Sequence, residues 1–245
     1  MRIIVCNDPD SVGREAAGVV ERFVSTSESP ALGLATGETM EGLFVELVSR
    51  HRRQGLSFRP VDAYLLDEYV GLERCDPNAY RSVVHRLFAQ HVDLRSGSLH
   101  GPNTQAPDLT AECVRYEQEV RDASIGLQIL GIGTNGHIAF NEPGTPFDSI
   151  TRVVELSEQT REDNARFFVA GHSVPTRAMT QGIATILAAS ELLLVAFGAG
   201  KASAVARTVE GPISDAVPAS AIQLHTNVTV VLDPLASQQL TNRGE

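Results

Sequence analysis

Short apolar runs alternate along this chain with longer stretches whose apolar positions recur at helical spacing. The runs Arg2–Cys6, Ala31–Ala35, Val61–Leu66, Gly126–Ile132, Glu191–Phe197 and Asn227–Leu232 are largely apolar and short, and predict buried parallel strands. Between them, Met40, Leu43, Phe44, Leu47 and Val48 fall on one helical face, as do Tyr80, Val83, Val84, Leu87 and Phe88. Leu109, Cys113, Tyr116 and Val120 mark a third such face, and Pro218 in VPASA suits the first turn of a short helix. Strands alternating with helices predict βαβ units, hence an α/β fold on a mainly parallel sheet. Neither an internal repeat nor a linker interrupts the pattern, so one domain spanning residues 1–245 is expected. The stretch Ser149–Pro175 is the least regular, and an excursion over the crevice is expected there, with a mobile lid as one form of it.

Composition narrows the partners. The 245 residues carry a formal net charge of −10 and no Lys/Arg-rich block, which disfavours nucleic acid and anionic membrane. Three widely spaced cysteines (Cys6, Cys75, Cys113) form no CxxC, and the histidines other than His137 lack ligand spacing. Neither a disulfide framework nor a metal site is expected. The N-terminus lacks the apolar segment of a signal peptide, and the longest apolar stretch, Leu192–Ala199, is far too short to span a bilayer. A cytoplasmic protein acting on a small molecule, without membrane, as a monomer or homo-oligomer, is the expectation.

Chemistry concentrates after the predicted strands. GIGTNGHIAFNEPGT (Gly131–Thr145) offers an amide, an imidazole and a carboxylate, Asn135, His137 and Glu142, on a turn loosened by Gly131, Gly133 and Gly136. A titratable imidazole there suits proton transfer near neutral pH. A structural turn histidine is the plainer alternative. A dinucleotide loop is disfavoured, because no acidic residue ends a second strand about twenty positions on. After ALGLA, the run Thr36-Gly37-Glu38-Thr39 precedes a helix and can hold a phosphate on free N–H groups, unless Thr36 merely caps that helix. Glu38 opposes a phosphate unless it points outward. After VDAYLL come Asp67 and Glu68, where a carboxylate is either a loop cap or a functional group. Arg161, Arg166 and Lys201 are the candidate cations, Lys201 the strongest because a Gly-Lys turn follows a strand there. No GxSxG elbow is present, which disfavours a serine nucleophile.

Together, LGLATGET, LLDEYVGL, GIGTNGHIAFNEPGT, TREDNARFF and VPTRAMTQGIATIL strongly resemble the glucosamine-6-phosphate deaminase family, nearly end to end. The resemblance implies a modified Rossmann-like, three-layer α/β fold. It implies conversion of glucosamine 6-phosphate and water to fructose 6-phosphate and ammonium, with no metal or organic cofactor. Carried over by motif, Asp67 takes the proton from C2 and returns it at C1, giving an enamine and then a ketose imine that water hydrolyses. His137 serves ring opening, held by Glu142, with Asn135 in the same relay. The phosphate contacts fall on Thr36, Gly37, Glu38, Thr39, Arg166 and Lys201, and Gly133 belongs to the substrate loop.

Two positions depart from the family pattern. Many members have Asp at Asn135, although the shorter ones also carry Asn, so Glu142 alone is expected to support His137. Glu38 and Met40 replace the usual Gly and Pro, and Glu38 is expected to weaken phosphate affinity. Longer members respond to N-acetylglucosamine 6-phosphate through a basic pair. Here Arg152 has Val154 beside it, and no such activation is expected. The rival assignments are a galactosamine-6-phosphate isomerase/deaminase, a 6-phosphogluconolactonase and a non-enzymatic sugar-phosphate sensor; DEYVGL and FNEP favour the aminosugar enzyme.

Overall fold

The computed structural model of the chain describes residues 1–168 and 173–242. The elements run β1 (Arg2–Val5), α1 (Pro9–Thr26), β2 (Ala31–Leu34), α2 (Glu38–Gln54), β3 (Asp62–Leu65), β4 (Asp67–Tyr69), α3 (Tyr80–Leu87), β5 (Leu99–His100) and α4 (Leu109–Ala123). They continue β6 (Leu127–Leu130), β7 (Arg152–Glu155), α5 (Glu158–Ala165), β8 (Arg177–Thr180), α6 (Ile183–Leu187), β9 (Glu191–Ala196), α7 (Ala202–Val209) and β10 (Val228–Leu232). Pro218 opens a 3-10 segment, Pro218–Leu224, as its fixed φ favours.

The main sheet has the order β1-β10-β9-β6-β2-β3-β5. Every neighbouring pair in it is parallel. All six expected strands lie in it, trimmed by one to three residues, and β9 and β10 show why they read as near-continuous apolar runs. Covered by helices, they bury every residue except Glu191. The chain winds from β2 through β3 to β5 on one side, then returns to place β6 on the other side of β2. That reversal is where open α/β sheets form a ligand crevice.

The elements expected from sequence did not include α1. It begins with Asp8, whose carboxylate accepts from the Ser11 N–H at 2.6 Å, and with Pro9 inside the first turn. Its buried face, Val12, Ala16, Val19, Val20 and Val24 among others, recurs at helical spacing. The helix packs on α2 and on β9 and β10.

The three-stranded sheet was also not expected. Its order is β4-β8-β7, antiparallel throughout. The Asp67–Tyr69 segment, read from sequence as the loop after a strand, is instead β4. Leu66 ends the main-sheet pairing by donating to Leu34 O at 3.1 Å; Asp67 then pairs with Thr180. Buried groups stabilise this change of sheet. The Gln181 N–H donates to Leu66 O at 2.8 Å, its side-chain amide to Leu65 O at 3.1 Å, and the Tyr116 hydroxyl to Leu65 O at 2.6 Å. Without them, the backbone carbonyls at the switch would be buried unpaired. Of the irregular stretch Ser149–Pro175, residues 169–172, with His172, lie outside the described residues; the rest holds β7 and α5. No helix among the described residues is long and apolar enough to cross a membrane.

The turn from β8 into α6 leaves no space for a side chain. A Cβ on Gly182 would stand 2.1 Å from the Ser149 carbonyl oxygen, a backbone atom. Gly182→Ala is therefore expected to lower stability by about 1–3 kcal/mol, read as a lower urea midpoint. An unchanged midpoint would mean that the 146–150 loop slides aside at no cost.

Candidate active site

Because β9, β6, β2 and β3 are adjacent and parallel, the segments that follow them emerge along one edge. They line a cavity of about 750 Å³ there. Thr36, Gly37, Glu38 and Thr39 reach it from β2, Asp67 from β3 by way of β4, Gly133 and His137 from β6, and Lys201 from β9. Arg166, at the end of α5, closes the far side. Arg161 does not line it.

The loop after β2 is open to an anion. Gly37 stands at the N-cap of α2 with φ +106°, a conformation that disfavours any side chain, and no side chain caps the helix. Thr36 is therefore not the cap, and the first-turn N–H groups face an uncapped, electropositive helix end. Lys201 lies on the turn before α7. Burial holds its ammonium below the usual lysine value; Asp163 and Glu38 work against this depression and Arg166 adds to it. A half-desolvated cation of this kind gains more from an anion than a surface lysine does. Arg166 pairs with Glu38 at 2.8 Å. Glu38 thus points toward the cation and not outward.

The two acids after Leu66 separate by role. The Glu68 carboxylate accepts from the N–H groups of Tyr69 at 3.0 Å, Tyr80 at 2.9 Å and Arg81 at 2.9 Å, so it caps α3. Asp67 is buried, and among the described residues no side-chain or backbone donor bonds its carboxyl. Burial, with the Glu68 charge adding, raises its proton affinity well above that of an ordinary carboxyl. A carboxylate held in this way is a stronger base than one in water.

The loop after β6 places the imidazole. A Cβ on Gly133 would lie 2.2 Å from the His137 ring, so only glycine allows the ring to lie over that turn. Ala139, in the cavity wall, takes φ +50°, a strained value for a residue with a Cβ. Asn135 and Glu142 stand behind the ring and do not line the cavity. The Asn135 amide donates to Glu142 Oε2 at 2.7 Å, and its carbonyl oxygen accepts from the His137 backbone N–H at 3.1 Å. Asn135 therefore holds the carboxylate and the loop, and its side-chain hydrogen bonds go to these and not to the ring. His137 Nδ1 lies 3.7 Å from Glu142 Oε2, an ion-pair separation too long for a hydrogen bond. That nitrogen is buried with no hydrogen-bond partner among the described residues. The hydroxyls of Ser157, at 2.9 Å, and Thr160 donate to Glu142 Oε1. Burial raises the Glu142 carboxyl, but the nearby ring, Thr160 and Asn135 outweigh it and hold the group down at about 2.

Sequence reasoning missed α5 as a structural part of the site. Only Thr160 of this helix is buried, so polar tethers fix it instead of an apolar face. Ser157 caps it by accepting from the Thr160 N–H at 3.1 Å while donating to Glu142. Asn164 donates to the Tyr69 hydroxyl at 3.0 Å, and Arg166 holds Glu38. Tyr69, Tyr80, Phe140 and Phe168 form an aromatic wall, with Tyr69 within 5.6 Å centroid distance of each of the other three. Their scatter over four segments hides this wall from any periodicity. Among the described residues, no group of three or more His, Cys, Asp or Glu could hold a metal ion.

This geometry defines an α/β protein whose cavity combines an unbonded buried carboxyl, an imidazole backed by a carboxylate and a cradle for an anion. The chain belongs to the family of glucosamine-6-phosphate isomerases and 6-phosphogluconolactonases, whose model matches residues 9–231. It is 46% identical over 242 residues to a glucosamine-6-phosphate deaminase of Mycolicibacterium smegmatis, covering 98% of this chain and 93% of that one. A deaminase of the same name from Bacillus velezensis is 45% identical over 238 residues, covering 97% of this chain and 99% of its own. The solved structure of a monomeric glucosamine-6-phosphate deaminase superposes with a TM-score of 0.95 at 44% identity, covering 98% of this chain and all of that one. A 6-phosphogluconolactonase from Leishmania guyanensis shares the fold, with a TM-score of 0.78 at 18% identity, covering 98% of this chain and 99% of its own.

Glu142 makes the site's stability depend on acid. Its folded value, about 2, lies below the ordinary glutamate value near 4.3, so its stabilisation is present above that value and is lost as pH falls toward 2. Glu142→Gln removes the dependence. The gap in urea midpoint between wild type and this variant should be widest above about pH 5 and shrink steadily toward pH 3. A gap of constant width over that range would assign the difference to packing alone.

Proposed function

We propose that this chain converts glucosamine 6-phosphate and water to fructose 6-phosphate and ammonium, in the cytoplasm and without a cofactor. The observation that carries the proposal is the buried Asp67 carboxyl, free of hydrogen bonds, in the same cavity as His137 and the uncapped α2 N-terminus. A hydrogen on a carbon next to a carbonyl is only weakly acidic, and its removal needs a base fixed within reach.

In this mechanism the phosphate rests on the Thr36–Thr39 turn, Arg166 and Lys201. Anchoring at C6 supplies binding energy that positions C1 and C2. His137 takes the proton from the ring hydroxyl and returns it to the ring oxygen, which opens the sugar to its aldehyde. Glu142 stabilises the imidazolium formed in between. Asp67 removes the C2 proton to give an enolamine and delivers it to C1. The resulting C2 imine takes up water and loses ammonia. Gly133 contributes by letting the imidazole sit at the cavity floor. The similar length and high identity to a monomeric relative support a chain that needs no partner to complete the site.

Ammonia release assayed with glucosamine 6-phosphate and galactosamine 6-phosphate tests this directly; the gluco epimer is expected to be turned over with the higher kcat/KM. No ammonia from either sugar would overturn the proposal, and preference for the galacto epimer would reassign the substrate. Asp67→Asn should lower kcat by about 10²–10⁴-fold with KM little changed. Arg152 is occupied within the chain, donating to Asn141 Oδ1 at 2.9 Å. Adding N-acetylglucosamine 6-phosphate should accordingly leave the rate curve unchanged or show only competitive inhibition; a drop in KM would demonstrate activation.

A further inference from the structure

In the unliganded cavity, the cation opposite the α2 N-terminus already holds an anion from the chain itself. Glu38 is the first residue of α2, and its carboxylate reaches across to Arg166 Nη2 at 2.8 Å. Both side chains line the cavity beside Lys201, and both act on the Lys201 charge. A carboxylate bound to the cation that faces an uncapped helix end occupies the place an incoming phosphoryl oxygen needs. The pair is also half-exposed, with side-chain exposures of 64% and 53%, so water and salt screen it and it breaks at little cost. It is the outermost of the tethers on α5, the others running to Glu142 and to Tyr69.

We propose that Glu38 is a displaceable internal counter-ion of Arg166, which the substrate's phosphate must evict, and so a residue that sets substrate affinity and selects for the phosphate group. A phosphate monoester brings close to two charges and three acceptor oxygens, enough to take Arg166, Lys201 and the helix N–H groups together. A neutral sugar, or one bearing a single carboxylate, gains too little from the same groups to displace Glu38. Phosphate selection then comes from competition at Arg166 as well as from attraction.

This inference rests on the proposed phosphate cradle, and direct binding separates the two. Titration calorimetry with inorganic phosphate, which needs no turnover, compares wild type, Glu38→Gln, Arg166→Gln and the double variant. Glu38→Gln should bind phosphate about two- to fivefold more tightly, the range an exposed ion pair allows. In the Arg166→Gln background the same change should give no gain, because the two residues are coupled. In the deaminase assay the gain should appear as a lower KM for glucosamine 6-phosphate, with kcat held. An unchanged phosphate affinity in Glu38→Gln would overturn the proposal. A gain that persists undiminished without Arg166 would also overturn it, by reducing Glu38 to a repulsive charge at a distance. Failure of the deaminase reading would look different: phosphate would bind and respond to Glu38→Gln while no aminosugar phosphate released ammonia.

Discussion

At Leu66 the chain leaves the main sheet and enters the smaller one, and the position of the buried acid follows from that step. Leu66 still donates to β2, while Asp67 already pairs with Thr180. Gln181, from the strand-to-helix turn after β8, bonds backbone on the Leu65–Leu66 side of the junction through both its main chain and its side chain. Burial at that point, with the Glu68 charge adding, raises the proton affinity of Asp67. Burial raises the proton affinity of the neighbouring Glu68 as well, but three backbone N–H groups of the β4–α3 region offset part of that penalty. Two adjacent buried carboxyls thus differ in their partners: backbone N–H groups hold Glu68, while among the described residues no donor bonds Asp67.

The charges around the cavity obey a second constraint, imposed by a chain with a net charge of −10. Several of its cations are committed to acids within the chain. Arg50 is held by Glu21 and Glu46, and Arg115 by Glu112 and Glu119. Lys201 is different, because burial lowers its preference for the charged form and, among the described residues, no carboxylate bonds it directly. Such a group is stabilised by an anionic ligand without first losing a strong partner. Arg166 is the intermediate case, engaged by Glu38 but at the surface, where the engagement is weak.

Much of this was legible in the sequence, for identifiable reasons. Strands buried on both faces, such as β9 and β10, announce themselves as apolar runs, and α2, α3 and α4 bury one stripe each. The loops after β2, β3, β6 and β9 followed from topology, since parallel strands share an edge. What stayed hidden has no period to read. Strand β4 has three residues, two of them acids, and α5 has one buried side chain. The support of His137 was read as a contact between side chains alone; in the structure Asn135 bonds the loop backbone and the carboxylate, a connection that depends on three-dimensional register. Glu38 was recognised as discordant in a phosphate loop, but its partner lies 128 positions away on an element without a pattern.

The fold alone does not choose the reaction, since a 6-phosphogluconolactonase superposes on 98% of the chain at 18% identity. The choice rests on which groups are rigid and where protons can go. Lactone hydrolysis needs a base that activates water near an ester carbonyl, a task an imidazole backed by a carboxylate performs unaided. It gives no use to a second carboxyl, buried and unbonded, in the same cavity. Moving a proton between adjacent carbons does, because the group must accept the proton, keep it from solvent and return it one atom away. A carboxyl with raised proton affinity and no competing donor meets all three requirements. The combination of Asp67 with His137, more than either residue alone, therefore favours aldose-to-ketose chemistry over simple hydrolysis.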